Sequence, residues 1–229
     1  MSTFPTARPF PLEQGDHLTR DEFERRYDAM PGLKKAELID GVVHMPSAVR
    51  WNSHASPHAR VCAWLALYSV ATPGTQAGDN GSVRLDEENE PQPDAALVIL
   101  PSYGGQARVS ADDYLEGAPE LVFEVASSTT SIDLNAKLRV YQEHGVREYV
   151  VWRVLQRQID WFVLRDGQFA RLAAGADGVW RSEIFPGLWL DHGALVQEDI
   201  ARVLAVLQQG LASPEHAAFV AQLQQAAAP

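Results

Sequence analysis

The run Leu121-Val122-Phe123-Glu124-Val125-Ala126 sets one carboxylate inside an otherwise apolar stretch of strand length. A short apolar run of this kind reads as a strand in the body of a sheet. An ionised glutamate buried there costs several kcal/mol unless something compensates it. The fold must therefore pack this strand and also bring a partner to Glu124. A divalent metal is one partner that satisfies the need; a salt bridge or a solvent-facing position is the ordinary alternative.

A second strand carries a carboxylate at its start. Ala95 to Leu100 is a short apolar run bounded by prolines, and Asp94 opens it directly after Gln92-Pro93. Asp94 alone would pass as a turn residue. The rest of the pattern alternates. Thr19 and Glu22 form a capping box for a first helix that carries Phe23 and Tyr27 and ends at Pro31-Gly32. Glu37 to Met45 reads as two strands around an Asp40-Gly41 turn. A second helix begins near Ser56-Pro57, with Val61, Trp64, Leu65 and Tyr68 as its apolar stripe. Pro73-Gly74 breaks it, and a strand follows near Gly81 to Leu85. Tyr103 to Gly117 is a long polar connection. Ser127-Ser128-Thr129-Thr130-Ser131 leads from the Glu124 strand into a helix from about Ile132 to His144, capped by Gly145. Strands over Val146–Val154, Gln158–Leu164 and Phe169–Leu172 follow, the last two joined at Asp166-Gly167.

This order predicts an α/β fold with a mixed sheet flanked by helices, C-terminal hairpins and a helical tail. The expected organisation is a flexible lead over 1–18, one domain over 19–192 and a helical extension over 193–229. With 229 residues and 46% hydrophobic content, a single large core is within reach. The lone Cys62 excludes an internal disulfide and reads as a packed thiol. The opening Met1-Ser2-Thr3-Phe4-Pro5 carries no basic-then-apolar signal, and no run is long enough to span a membrane, so a cytoplasmic location is expected. The net charge of -11 argues against nonspecific polyanion binding. Residues 137 to 181 are the exception, with eight Lys or Arg against five Asp or Glu. Arg139, Arg147 and Arg153 are the candidates for a modest basic face there.

Glu37-Leu38-Ile39-Asp40-Gly41, Gln92-Pro93-Asp94, Pro119 to Val125, Lys137 with Tyr141, and Gly145-Val146-Arg147-Glu148-Tyr149 together resemble the Uma family of restriction endonucleases. The resemblance runs from about Thr19 to Leu190 and implies a branch of the PD-(D/E)xK superfamily with a restriction-endonuclease-like core. Pro93-Asp94 matches the "PD", and Glu124-Val125-Ala126 matches the "ExK" with alanine in place of lysine. By that resemblance Lys137, on the next helix, supplies the displaced ammonium. Trp152-Arg153 stands where many relatives carry an aspartate, which bears on substrate contacts more than on metal binding.

The resemblance implies that Asp94 and Glu124 hold Mg²⁺ or Mn²⁺, with the Val125 carbonyl as a third ligand, and that Lys137 orients water or neutralises charge. Glu37 reaches the same metal or pairs with Lys34 or Lys35. His58 is an accessory candidate and His54 a weaker one. Tyr141, one turn beyond Lys137, holds the lysine or packs on the sheet. Asp94 and Glu124 are expected to repel each other without metal. DNA is the expected partner, bound weakly and with strong salt dependence, and a homodimer would present two sites to two strands. The competing reading is a catalytically idle relative acting as a dimeric scaffold.

Overall fold

The computed structural model describes residues 9–46, 48–127 and 130–227. Residues 1–8 of the expected lead, with the Met1–Pro5 opening, and Ser128-Thr129 of the expected Ser/Thr connection lie outside the described residues.

The part of the lead that is described lies against the first hairpin. Gly15 N–H donates to the Val43 carbonyl and Val43 N–H to the Asp16 carbonyl, and Leu12 is buried with Phe23, Leu38 and Val43. The lead is expected to be flexible over 1–18; from Leu12 on, one buried leucine and these paired backbone groups set it beside the hairpin. Helix α1 (Arg20–Asp28) follows Thr19, but the capping box does not form. Glu22 turns instead to Arg25 and Arg26, at 2.7 and 2.6 Å. Arginines at i+3 and i+4 offer charge-assisted bonds stronger than a backbone N–H does. Strands β1 (Glu37–Ile39) and β2 (Val42–His44) pair across Asp40 and Gly41. Both turn residues have positive φ, 53° and 70°, as a two-residue hairpin turn of this hand requires.

A π-helical turn, Trp51–Ala55, feeds directly into α2 (Ser56–Ala71). Strand β3 (Thr75–Asp79), with the sequence Thr-Gln-Ala-Gly-Asp, carries no apolar alternation and is not foreseen from sequence. As the outermost strand of the central sheet it needs only one bonded neighbour. The strand expected over Gly81–Leu85 shrinks to β4 (Val83–Arg84). After β5 (Ala95–Ile99), the polar connection holds two short strands, β6 (Arg108–Val109) and β7 (Leu115–Glu116), which form a small sheet with β4. Strand β8 (Leu121–Ala126) occupies the predicted run. A helical stretch then comprises α3 (Thr130–Ile132), a π-helical turn (Asp133–Lys137) and α4 (Leu138–Glu143).

Strands β9 (Glu148–Arg153), β10 (Gln158–Arg165) and β11 (Gln168–Arg171) complete the main sheet. Its order is β11-β10-β9-β8-β5-β3, with β8 and β9 parallel and the other pairs antiparallel. A separate pair, β12 (Val179–Arg181) and β13 (Trp189–Asp191), leads to α5 (His192–Val196), α6 (Ile200–Leu211) and α7 (Pro214–Ala226).

Strand periodicity sorts the two faces. Leu121, Phe123 and Val125 point to the side covered by Val61, Trp64, Leu65 and Tyr68 of α2. Leu195, Val203, Leu207, Phe219 and Leu223, from the segment read as an extension, join that same core. Val122 and Ala126 point the other way, against Tyr141 with Leu134 and Leu138. Glu124 shares that second face, so the helical stretch 130–143 covers it. Cys62 is half-buried against the larger core.

Candidate active site

Antiparallel pairing of β5 with β8 sets Ala95 opposite Phe123, so Asp94 and Glu124 meet at one end of two adjacent central strands. The contact is direct. Val125 N–H donates to Asp94 Oδ2 at 2.8 Å, and Asp94 N–H reaches Glu124 Oε2 at 3.4 Å. A strand residue sends its N–H and C=O to the same edge. The Val125 carbonyl therefore faces the Asp94 side, as the expected third ligand must.

Lys137 arrives from the covering helix. Its Nζ lies 2.8 Å from Glu124 Oε1 and 2.7 Å from Glu37 Oε1, with Asp133 Oδ1 at 3.9 Å. The π-helical turn Asp133–Lys137 puts both ends of that five-residue turn into the site. The lysine is buried, and burial alone would lower its pKa. Glu124, Glu37 and Asp133 outweigh that and hold the ammonium charged, well above its ordinary range. Glu37 thus pairs with Lys137 rather than with Lys34 or Lys35, and it also accepts the Gln92 N–H at 2.8 Å.

Lys35 goes elsewhere. Its Nζ sits 3.1 Å from Asp94 Oδ1 and 3.3 Å from Asn80 Oδ1. His54 Nε2 is 3.2 Å from Asp94 Oδ2. Burial works to raise the Asp94 carboxyl, but the His54 hydrogen bond and the Lys35 charge outweigh it and hold the group below the usual carboxylate range. Glu124 moves the opposite way. Burial pushes it up to about 8, Asp94 adds to the rise, and Lys137 opposes it. Asp94 thus stays ionised beside Lys35 and His54, and its charge adds to the rise of Glu124.

The two histidines exchange the ranks that sequence gives them. His54 touches the Asp94 carboxylate. His58 Nε2 approaches the Asp94 backbone carbonyl at 2.6 Å and Asp79 Oδ1 at 3.0 Å. Tyr141 donates to Glu124 Oε1 at 3.3 Å, so it steadies the glutamate and not the lysine. Lys35, His54 and Asp133 are the contributors that sequence reasoning underrates. Lys35 lies two residues before Glu37, and Asp133 four before Lys137; that spacing is their only signal. These groups border one open cavity of about 550 Å³, whose wall also includes Val49, Arg50 and Cys62.

The basic face does not assemble as expected. Arg147 directly precedes β9 and Arg153 ends it, so the two lie roughly 20 Å apart along the strand. Arg139 pairs with Asp40, and Arg153 with Asp160 at 2.7 Å. Arg147 bonds Gln106 at the far end from the cavity.

A family model described as a putative restriction endonuclease, Uma2, matches residues 20–193. The chain belongs to the Uma2 family. Among solved structures, this Uma2 chain is similar to one titled as a putative nuclease belonging to DUF820 from Anabaena variabilis. The TM-score is 0.53 at 13% identity, over 78% of this chain and 99% of that one, which establishes a shared fold. No curated protein matches the chain. Among the described residues no helix is long and apolar enough to cross a membrane.

Two donor sets in this Uma2 protein could hold a metal. His58, Cys62 and Asp79 already have ligand atoms within 4.8 Å of one another. That trio mixes soft and hard donors, burial pushes the Cys62 thiol up to about 12, and the Asp79 side chain is mostly exposed. Asp94, Glu124, Glu37 and the Val125 carbonyl offer oxygen alone, the donor type that Mg²⁺ and Mn²⁺ prefer. Positive charge is already gathered on that set as two lysine ammonium groups.

Proposed function

We propose that this protein is a Mg²⁺- or Mn²⁺-dependent endonuclease that hydrolyses DNA phosphodiester bonds. The observation that carries the reading is the buried contact of Lys137 with Glu124, with Asp94 opposite on the neighbouring strand. Lys137, from the following helix, would supply the ammonium that Ala126 cannot.

Asp94, Glu124 and the Val125 carbonyl would hold the ion, and Glu37, across Lys137 from Glu124, would be the further carboxylate candidate. When bound, such an ion polarises a phosphate oxygen and lowers the pKa of water. The chain's own groups do the rest. The bonds from His54 and Val125 fix the orientation of the Asp94 carboxylate. Hydrolysis joins a water oxygen to phosphorus, breaks one phosphorus–sugar oxygen bond, and leaves one proton on the departing oxygen. Lys137 lowers the cost of the negative charge that builds up on the way. A homodimer with two such sites would serve both strands of a duplex.

A second reading, a catalytically idle dimeric scaffold, draws on the net charge of -11 and on the acidic partners of Arg139 and Arg153. Nicking of supercoiled plasmid in Mn²⁺ separates the two. The nuclease reading expects nicking by wild type and none by Asp94→Asn, together with a Mn²⁺ thermal shift that the variant loses. An intact thermal shift in Asp94→Asn removes Asp94 from the site, and no nicking of any nucleic acid by wild type favours the scaffold.

A further inference from the structure

Trp51 is the exception among six tryptophans. Trp64, Trp152, Trp161 and Trp180 are buried and Trp189 is half-buried, whereas Trp51 is 77% exposed. A large aromatic residue left in water is uncommon, because burying it is so favourable. Its position is specific. It begins the π-helical turn that carries His54 to Asp94, three residues before that histidine and directly after two residues of the cavity wall. Val49, 66% exposed, and Arg50 precede it and line the rim of the same cavity. Arg50 has no carboxylate partner among the described residues, unlike Arg139 and Arg153.

We infer that Trp51, flanked by Val49 and Arg50, is a stacking platform for one unpaired nucleobase of the strand whose phosphate enters the carboxylate–lysine cavity. The inference rests on the nuclease reading, since it takes that phosphate as given. Net charge opposes a bound strand, so the attraction has to come from contacts other than phosphate pairing. An acidic chain whose arginines are mostly matched by carboxylates gains little from counterion release. Base–aromatic stacking does not depend on net charge and accepts any base, since each has a π face. Arg50 beside the ring adds a cation for the adjoining phosphate or for the face of the base. A base already paired and stacked in a duplex cannot reach such a platform, so the site selects single-stranded or frayed segments.

The test measures binding of a mixed-sequence single-stranded oligonucleotide and of an abasic one of equal length and charge, with Ca²⁺ in place of Mg²⁺. Tryptophan fluorescence and anisotropy are read together. Wild type is expected to bind the base-bearing strand roughly tenfold more tightly, with quenching. Trp51→Ala should lose both the preference and the quenching, and Trp51→Phe should retain part of the preference. At 77% exposure the side chain packs against little of the fold, and the Mn²⁺ thermal shift checks the cavity in each variant. Equal affinity for the two strands, or wild-type affinity in Trp51→Ala, overturns the platform, while nicking by wild type leaves the nuclease reading intact. A change of sedimentation in Trp51→Ala without a change in binding overturns it in favour of a second copy on this face. Absence of both binding and nicking in wild type overturns platform and nuclease together.

Discussion

The two ends of strands β8 and β9 each bury carboxylates, and they do so in opposite ways. At the end where the strands begin, Glu120 accepts N–H bonds from Ile99 and Gln106, both at 2.9 Å. Glu148 accepts from the Ser182 hydroxyl at 2.7 Å and the Glu183 N–H at 2.8 Å. Backbone groups cannot leave without unfolding a loop, so these glutamates pin loops to the sheet. At the other end, Asp94, Glu124 and Glu37 are met largely by Lys35, Lys137 and His54. Side-chain cations can swing aside and yield their place to another cation. Carboxylates are buried at both ends, though only those at the second border a cavity; what separates a structural carboxylate from a candidate ligand is whether its partner can be exchanged.

The largest expected effect is at Lys137. Lys137→Ala should lower Mn²⁺-dependent nicking by about 10²–10³-fold, and Lys137→Arg should restore little, because a planar fork does not replace a compact charge. It should also cost about 3–5 kcal/mol of metal-free stability by stranding buried carboxylates. Mn²⁺ should return part of that loss, because the added cation binds only the folded protein. Glu148→Ala should be destabilised too, yet show no extra recovery with Mn²⁺. Equal recovery in both variants, followed by thermal denaturation, would break the distinction between the two ends.

Next in size is a pH effect at the pinned end. Burial pushes the Glu148 carboxyl from 4.5 up to about 7, against the bonds from Ser182, Glu183 and Ile184. The folded state thus binds the proton more tightly than the unfolded state. Its stabilising contribution is complete below about pH 4.5 and is lost as pH rises through about 7. The change is on the order of 3 kcal/mol. Glu148→Gln, which cannot titrate, should flatten the stability curve of wild type across that window in urea titrations. Parallel curves for the two proteins would mean that the carboxyl does not titrate there.

A smaller effect sharpens the exchangeable end. Lys35→Met removes the ammonium that competes for Asp94 Oδ1. Mn²⁺ affinity, measured by calorimetry, should rise several-fold, on the order of 1 kcal/mol in the favourable direction. Weaker Mn²⁺ binding would instead make Lys35 a support of the site. The smallest effect is expected at Arg147, beside the pinned end. Arg147→Gln should change oligonucleotide affinity less than about twofold, since a cation roughly 20 Å from the cavity end of β9 contacts no phosphate held there. A large loss would restore the continuous basic face.

Much of this molecule is written in local pattern. The apolar runs at Ala95–Ile99 and Leu121–Ala126, the Asp40-Gly41 and Asp166-Gly167 turns, and the α2 stripe follow from periodicity and turn chemistry, which act within a few residues. Strand β3 escapes such reading, because an edge strand is held by its neighbour's backbone and needs no pattern of its own. Asp94, Glu124, Lys137 and Glu37 are legible because a carboxylate in an apolar run demands compensation and the order of short motifs resembles a family.

The sequence by itself determined that Glu124 would sit among apolar neighbours on a strand, where burial demands a partner; it left a metal, a salt bridge and a solvent-facing position open. Which cation it received was decided by tertiary structure. Strand parity turned Glu124 toward the helical stretch 130–143, and the hairpin brought Glu37 to the same ammonium. Only the fold assigned Lys35 and His54 to Asp94, left His58 on the backbone carbonyl, and sent Arg147 and Arg153 to opposite ends of one strand. The physical reason is range. Periodicity and propensity act over one or two turns of chain, whereas the pairing of charges depends on which faces the sheet brings within a few ångströms, and Lys35 and His54, 59 and 40 residues from Asp94, carry no local trace of that.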